Sequence, residues 1–165
     1  MVNDKKTKFL VKSSVLIAMT TVMTMVIRIP TIGTNGYLNL GDMVVFIAAL
    51  VLGKNGGLIV GGLGSALADI LAGYTHYAPI TLVVKGLEGY IAGLILETKL
   101  GKRYPIVATA IGGIWMALGY YLAEIFMYGA VASLASVPGN IAQGLFGAIT
   151  AILLYKALIK NRIKI

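Results

Sequence analysis

Four of the six acidic residues, Asp42, Asp69, Glu88 and Glu124, lie within or at the edges of apolar segments, with Lys85 among them. A charge at the centre of a membrane-spanning helix costs about 2.5–3.5 kcal/mol on insertion scales. Such residues are therefore functional candidates once pairing has been considered. Lys85 and Glu88 are three apart and share a helix face. Thr81, four before Lys85, and Tyr77, four before Thr81, extend that stripe. Two chemistries fit it: a self-neutralising ion pair, or a wall in which Thr81, Lys85 and Glu88 hydrogen-bond a polar ligand. One pair can serve both.

A second set lies further along. Tyr120 and Glu124 are one helical turn apart, with Trp115 and Tyr121 nearby. A solvated interfacial carboxylate is the competing reading of Glu124, and Tyr and Trp also populate interfacial belts. Asn140 and Gln143 are three apart, although Asn140 after Pro138-Gly139 also suits a helix N-cap. Asn39 and Asp42 fall at a matching depth after a long polar stretch. A few polar groups among aromatics in an apolar bundle are what a small-molecule pocket needs. Asp69 has no local partner and reads as an outer-interface residue, and His76 stands alone, which makes no metal site. There is no Cys, no HExxH and no Ser/His/Asp set, so neither a metal nor a cofactor is expected. Gly61-Gly62-Leu63-Gly64 falls inside an apolar segment, which removes the nucleotide-loop reading.

The elements that must position these residues are membrane spans. The chain is 58% hydrophobic and 12% charged, with mean hydropathy +0.89. A soluble domain carries about twice that charge fraction. Six apolar segments are expected, at about 9–29, 40–52, 57–72, 79–96, 105–128 and 138–159. They make an all-α membrane protein, a compact bundle of six transmembrane helices forming one domain over 1–165, with no room for an extramembrane catalytic domain. Pro79, Pro105 and Pro138 each suit a helix start, and Gly53-Lys54-Asn55-Gly56 reads as a tight turn. A cleaved signal peptide competes for the N-terminus, but no A-x-A-like site follows the apolar run, so it is read as a span.

With six spans, Lys5, Lys6, Lys8, Lys12, Lys54, Lys99, Lys102, Arg103, Lys156, Lys160, Arg162 and Lys164 share one side, twelve of the fourteen basic residues. This asymmetry puts both termini in the cytoplasm. It also assigns the net charge of +8 to the membrane surface rather than to nucleic acid. Glycines at small-xxx-small spacing, such as Gly53/Gly57/Gly61 and Gly89/Gly93, let helices approach closely. Ser14 and Ala18, with Met19 and Met23, form a soft face on the first span that packs internally or docks a partner helix.

The runs Gly36-Tyr37-Leu38-Asn39-Leu40-Gly41-Asp42, Gly61-Gly62-Leu63-Gly64-Ser65-Ala66-Leu67-Ala68-Asp69, Tyr77-Ala78-Pro79-Ile80-Thr81 and Lys85-Gly86-Leu87-Glu88-Gly89 resemble the S components of energy-coupling factor (ECF) vitamin transporters. The group resembled is the riboflavin-type one, whose members are assigned to hydroxymethylpyrimidine, pyridoxine, pantothenate or riboflavin. The resemblance implies six helices in a bacterial plasma membrane and a vitamin captured on the outer side under the first outer loop. It also implies partnership with a transmembrane coupling subunit (T component) and two cytoplasmic ATPases. The family docks its coupling subunit through an A-x-x-x-A pair on the first helix. Ser14 replaces the first alanine here and Ala18 matches the second.

Arg28 and Lys85 against Asp42, Glu88 and Glu124 give the outer half a formal charge of −1. That disfavours a carboxylate such as pantothenate. Carboxylates pair well with ring N–H and amino donors, which favours a heteroaromatic ligand of B1 or B6 type at Glu88 and Glu124. A stand-alone proton-coupled carrier or channel, and a purely structural subunit, are the readings from other classes. Glu88→Gln and Lys85→Met are each expected to weaken ligand binding at least about tenfold without preventing insertion. Equilibrium binding on the purified variants checks this, and unchanged affinity in both returns the pair to a structural role.

Overall fold

A computed structural model describes residues 4–160, with side chains to residue 158. Arg162 and Lys164 of the basic set lie outside the described residues. The helices are α1 (Asp4–Val26), α2 (Gly41–Leu71), α3 (Ala78–Leu96), α4 (Lys99–Arg103), α5 (Pro105–Tyr128) and α6 (Ala130–Lys160). A two-residue antiparallel ladder, β1 (Ile29–Pro30) with β2 (Tyr37–Leu38), ties the loop between α1 and α2. Among the described residues five helices, α1, α2, α3, α5 and α6, are long and apolar enough to cross a membrane.

The segments expected at 40–52 and 57–72 form one helical stretch broken at a single residue. Gly53 has φ 73° and ψ −169°, outside helical space. Such a φ is open to glycine at little steric cost. In a straight helix Val45 and Gly61 would be about 24 Å apart. Instead a methyl placed on Gly61 would come within 2.9 Å of Val45 Cγ1, so the two halves of α2 lie side by side. The expected four-residue turn is therefore one residue, and Lys54-Asn55-Gly56 is already helical.

The first half of α2 is buried all round, with every residue from Val44 to Ala49 enclosed. This explains its lack of an amphipathic stripe and its shortness: a helix surrounded by protein has no lipid-facing side to present. Phe46, Val44 and Ala48 form the core with Leu16 of α1, Ala92 of α3 and Ala148 and Ala151 of α6.

The second half of α2 runs antiparallel to α3 along facing small residues. A methyl on Gly57 would collide with Gly89 O, one on Gly61 with Lys85 O, and one on Gly93 with Lys54 Cα. The expected glycine ladders thus pack on each other, and the ion pair of Lys54 with Glu97, 3.0 Å, ties the reversal to the end of α3. Small residues at this spacing replace side-chain interdigitation by direct backbone approach.

Pro79 and Pro105 begin α3 and α5 as expected. Pro138 does not begin a helix. It lies inside α6, which starts directly after Gly129, whose φ of 82° makes the turn from α5. Proline within membrane helices is tolerated where neighbouring groups satisfy the freed backbone. With Asn140 nearly three turns into the helix, its N-cap reading falls as well.

A side chain at the Gly57–Gly89 contact has nowhere to go except into the facing backbone. Gly89→Ala is expected to destabilise the bundle by about 1–3 kcal/mol, whereas Leu118→Ala, on an outward face, stays near neutral. Thermal unfolding of both variants in detergent measures the difference.

Candidate functional site

Lys85 is the only basic side chain among the buried residues described, at 2% exposure. It stands on α3 opposite the first turn of α2, and its Nζ pairs with Asp42 Oδ1 and with Glu88 Oε2, the latter at 3.1 Å. Tyr120 offers its ring face to the same ammonium, 5.9 Å from the centroid. Asp42 is held from the other side by Gln143, whose Nε2 donates to Oδ1 at 3.1 Å and to Oδ2 at 3.0 Å. Gln143 Oε1 accepts from the Asn39 N–H at 2.7 Å, and Asn39 Oδ1 accepts from the Gly41 N–H at 2.8 Å. One chain of polar contacts therefore runs from the loop between α1 and α2 through α6 and α2 to α3.

Glu124, 2% exposed, anchors a second network. Its Oε1 accepts from Tyr77 OH at 2.9 Å and its Oε2 from Ser136 Oγ at 2.6 Å, joining α5 to the start of α3 and to α6. The Thr81 and Tyr120 hydroxyls lie 3.0 Å apart. Tyr77 also stacks on Tyr128, with centroids 6.4 Å apart. Burial, reinforced by the Glu124 carboxylate, pushes the Tyr77 phenol above its usual range and keeps it a proton donor.

The two networks wall one small cavity of about 30 Å3 beneath the loop between α1 and α2. Asn39, Tyr77, Thr81, Lys85, Tyr120, Glu124, Asn140 and Gln143 line it. Asp42 and Glu88 of the expected set do not; they sit behind Lys85 and compensate its charge. Glu88 is 0% exposed; its Oε2 pairs with the Lys85 ammonium, and neither oxygen makes a further hydrogen bond among the described residues. The stripe Tyr77-Thr81-Lys85-Glu88 is thus split by depth: its first three members face the cavity and the fourth is buried beneath.

The loop over the cavity is a short hairpin. The Thr31 N–H donates to Gly36 O at 3.0 Å, the Thr31 and Thr34 hydroxyls are 2.7 Å apart, and Gly33 turns at φ 84° against the Ala132 backbone. Tyr37 hangs from it, its OH donating to Asp69 Oδ1 at 2.6 Å while its ring meets Tyr74 at 4.7 Å. Burial and the Asp69 carboxylate push the Tyr37 phenol above its usual range, so it stays a donor. Asp69 is accordingly no interface residue: it is 4% exposed and lines the cavity. Thr24, Thr31, Gly36, Tyr37 and Ser65 complete the lining and escaped sequence reasoning. Ser65 and Asp69 are one turn apart on one helix, a spacing that flags a shared face once either is suspected.

Ser14 and Ala18 are remote from this site, both exposed on α1. Ser14 Oγ donates to its own helix at Leu10 O, 2.9 Å, which leaves an apolar outward surface with Val11, Val15 and Met19. Among the described residues no group of three or more His, Cys, Asp or Glu is placed to hold a metal.

Residues 4–160 match the family model described as ECF-type riboflavin transporter, S component. The chain is 40% identical over 129 residues to an uncharacterized protein in gap 3′ region of Pyrococcus woesei, covering 78% of this chain and 86% of the relative. It is 29% identical over 152 residues to the thiamine precursor transporter HmpT of Lactococcus lactis subsp. cremoris, covering 92% and 87%. The crystal structure of an S component for biotin from an ECF-type ABC transporter shares the fold, with a TM-score of 0.55, 18% identity, and coverage of 94% of this chain and 95% of that one. A polar cavity closed inside a bundle of apolar helices, and a family match across almost the whole chain, lead to one assignment: this chain belongs to the S-component family of ECF-type transporters, the membrane subunits of vitamin uptake.

Proposed function

We propose that the chain captures a one-ring heteroaromatic vitamin precursor, of hydroxymethylpyrimidine or pyridoxine type, in the outer-half cavity. The observation that carries this reading is the composition of the cavity wall. Tyr77, Thr81, Lys85, Tyr120, Glu124, Asn140 and Gln143 converge there from three helices, giving aromatic faces for a ring and both donors and acceptors for its edge. The similarity to HmpT over 92% of the chain points to the same ligand class. A cavity of about 30 Å3 holds about one water molecule. Any ring must therefore expand it, and a single ring demands less expansion than a fused flavin.

The topology that fits the charge pattern is six spans, with the two halves of α2 counted separately, both termini in the cytoplasm and the site near the outer surface of a bacterial plasma membrane. ATP hydrolysis belongs to two partner ATPases, joined through a T component that meets α1 at Ser14 and Ala18. Asp42 and Glu88 act on the ligand through Lys85, whose position they fix, while the other eight residues touch it. The hairpin over the site moves to admit the ligand.

Equilibrium titration of the purified protein tests the ligand class. Hydroxymethylpyrimidine or pyridoxine is expected to bind tighter than pantothenate, and the reverse order overturns the assignment. Glu124→Gln keeps the side-chain shape but removes the charge that Tyr77 and Ser136 address. It is expected to weaken binding about tenfold or more, read in the same titration.

A further inference from the structure

The wall facing Lys85 carries unmet hydrogen-bonding capacity. Thr24 Oγ1, Ser65 Oγ and Asp69 Oδ2 are buried side-chain oxygens without a hydrogen-bond partner among the described residues, and all three residues line the cavity. They are 2%, 2% and 4% exposed. Buried polar groups are rarely left unpaired, and each one that is calls for an explanation. Three around one cavity share an explanation: a ligand edge completes them.

The other carboxylates are already engaged. Both oxygens of Glu124 accept from hydroxyls, Asp42 is held by Lys85 and Gln143, and Glu88 lies behind the cavity wall against Lys85. Asp69 has given one oxygen to Tyr37, while its other oxygen, towards the Thr81 hydroxyl, makes no hydrogen bond of ordinary geometry among the described residues. Counting Asp42, Asp69, Glu88 and Glu124 against Lys85, the buried set has a formal balance of −3 with all groups ionised. An uncompensated carboxylate in a low-dielectric site strongly favours a charged or donor-rich partner.

Resting on the functional reading above, we propose that Thr24, Ser65 and Asp69 form the recognition subsite for the ligand's amino edge. Asp69 Oδ2 accepts from an exocyclic amino group or a protonated ring nitrogen, and the Ser65 and Thr24 hydroxyls accept from the neighbouring donor. Ser65 and Asp69 lie one turn apart on α2, and Thr24 closes the subsite from α1. The ring then lies between this wall and the Tyr77–Tyr120 side. Because Tyr37 bonds the other Asp69 oxygen, the loop and the subsite share one carboxylate, and Tyr37 orients it. This places selectivity for an amino-bearing ring on Asp69 rather than on Glu88 or Glu124.

The test is calorimetric titration of the purified full chain with hydroxymethylpyrimidine and with its analogue lacking the exocyclic amino group. The wild-type protein is expected to prefer the amino compound. Asp69→Asn is near-isosteric and can still accept from Tyr37. It is expected to lose about tenfold or more in affinity for the amino compound and to bind the analogue almost as before, collapsing the preference. Ser65→Ala and Thr24→Val are expected to reduce the same preference by smaller factors, and they decide the matter if Asp69→Asn does not reach the membrane. Wild-type affinity and wild-type preference in the variants overturn the subsite while leaving the functional reading intact. A wild-type protein that binds neither hydroxymethylpyrimidine nor pyridoxine overturns the functional reading itself.

Discussion

A lysine ammonium enclosed among membrane helices has to be neutralised where it stands, and the arrangement around Lys85 follows from that constraint. Removing one partner of a buried ion pair costs about 3–5 kcal/mol, because the remaining charge is left unmatched. Two carboxylates from different parts of the chain share the task here, Asp42 from the first turn of α2 and Glu88 from α3 itself. Satisfying Lys85 therefore requires α2 and α3 to be in register. Gln143, which caps Asp42, extends the requirement to α6, and its bond to the Asn39 N–H extends it to the loop. The site is thus a consequence of how the bundle resolves one charge.

Register of this kind demands close helices, and the glycine contacts supply them. With Gly57 on Gly89 and Gly61 against the Lys85 carbonyl, the second half of α2 lies directly on the backbone from which Lys85 and Glu88 project. Lipid supplies no hydrophobic drive to hold helices together, so van der Waals contact between backbones has to do so. The reversal at Gly53 contributes in another way. By folding α2 on itself it surrounds the Val44–Phe46 segment with protein and delivers Asp42 to the cavity region from one end and Asp69 from the other.

Much of this was legible in sequence, for reasons that also mark the limits. Burying charge in lipid is costly enough that Lys85, Glu88 and Glu124 stood out by position alone. Pro79 and Pro105 marked true helix starts because each follows a polar connection. Pro138 misled because proline within a membrane helix leaves the same local trace as proline at its start, and only the packing of Ala130–Lys160 distinguishes them. The split of the Tyr77-Thr81-Lys85-Glu88 stripe by depth was also hidden, since spacing gives the face of a helix and not what lies across from it. Asp69 was misplaced because its partner Tyr37 is 32 residues away in a loop. Thr24 and Ser65 are ordinary residues for membrane helices, whose hydroxyls usually bond back to their own backbone as Thr20 does to Leu16 O. Their lack of such a partner is visible only in three dimensions.

The division between what is fixed and what can move follows from counting the ties across it. The helices meet along whole faces, through the Lys85 cluster and through the Glu124 bonds to Tyr77 and Ser136. The loop between Val26 and Gly41 is held to the helices chiefly by the Tyr37–Asp69 and Asn39–Gln143 hydrogen bonds and by packing of Gly33 on Ala132. A neutral hydrogen bond contributes about 0.5–1.5 kcal/mol net, and one to a charged acceptor about 1.5–3. Releasing the loop is therefore far cheaper than separating helices, and expansion of a cavity of about 30 Å3 proceeds most easily on the loop side. Both anchoring bonds end on residues that line the cavity, Tyr37 on one oxygen of Asp69 and the Asn39 N–H on Gln143 Oε1, so a ligand on either residue binds beside a tie that closes the loop. Opening and recognition then draw on the same two side chains. A bundle rigid enough to keep Lys85 buried can in this way still open at the loop without loosening its core.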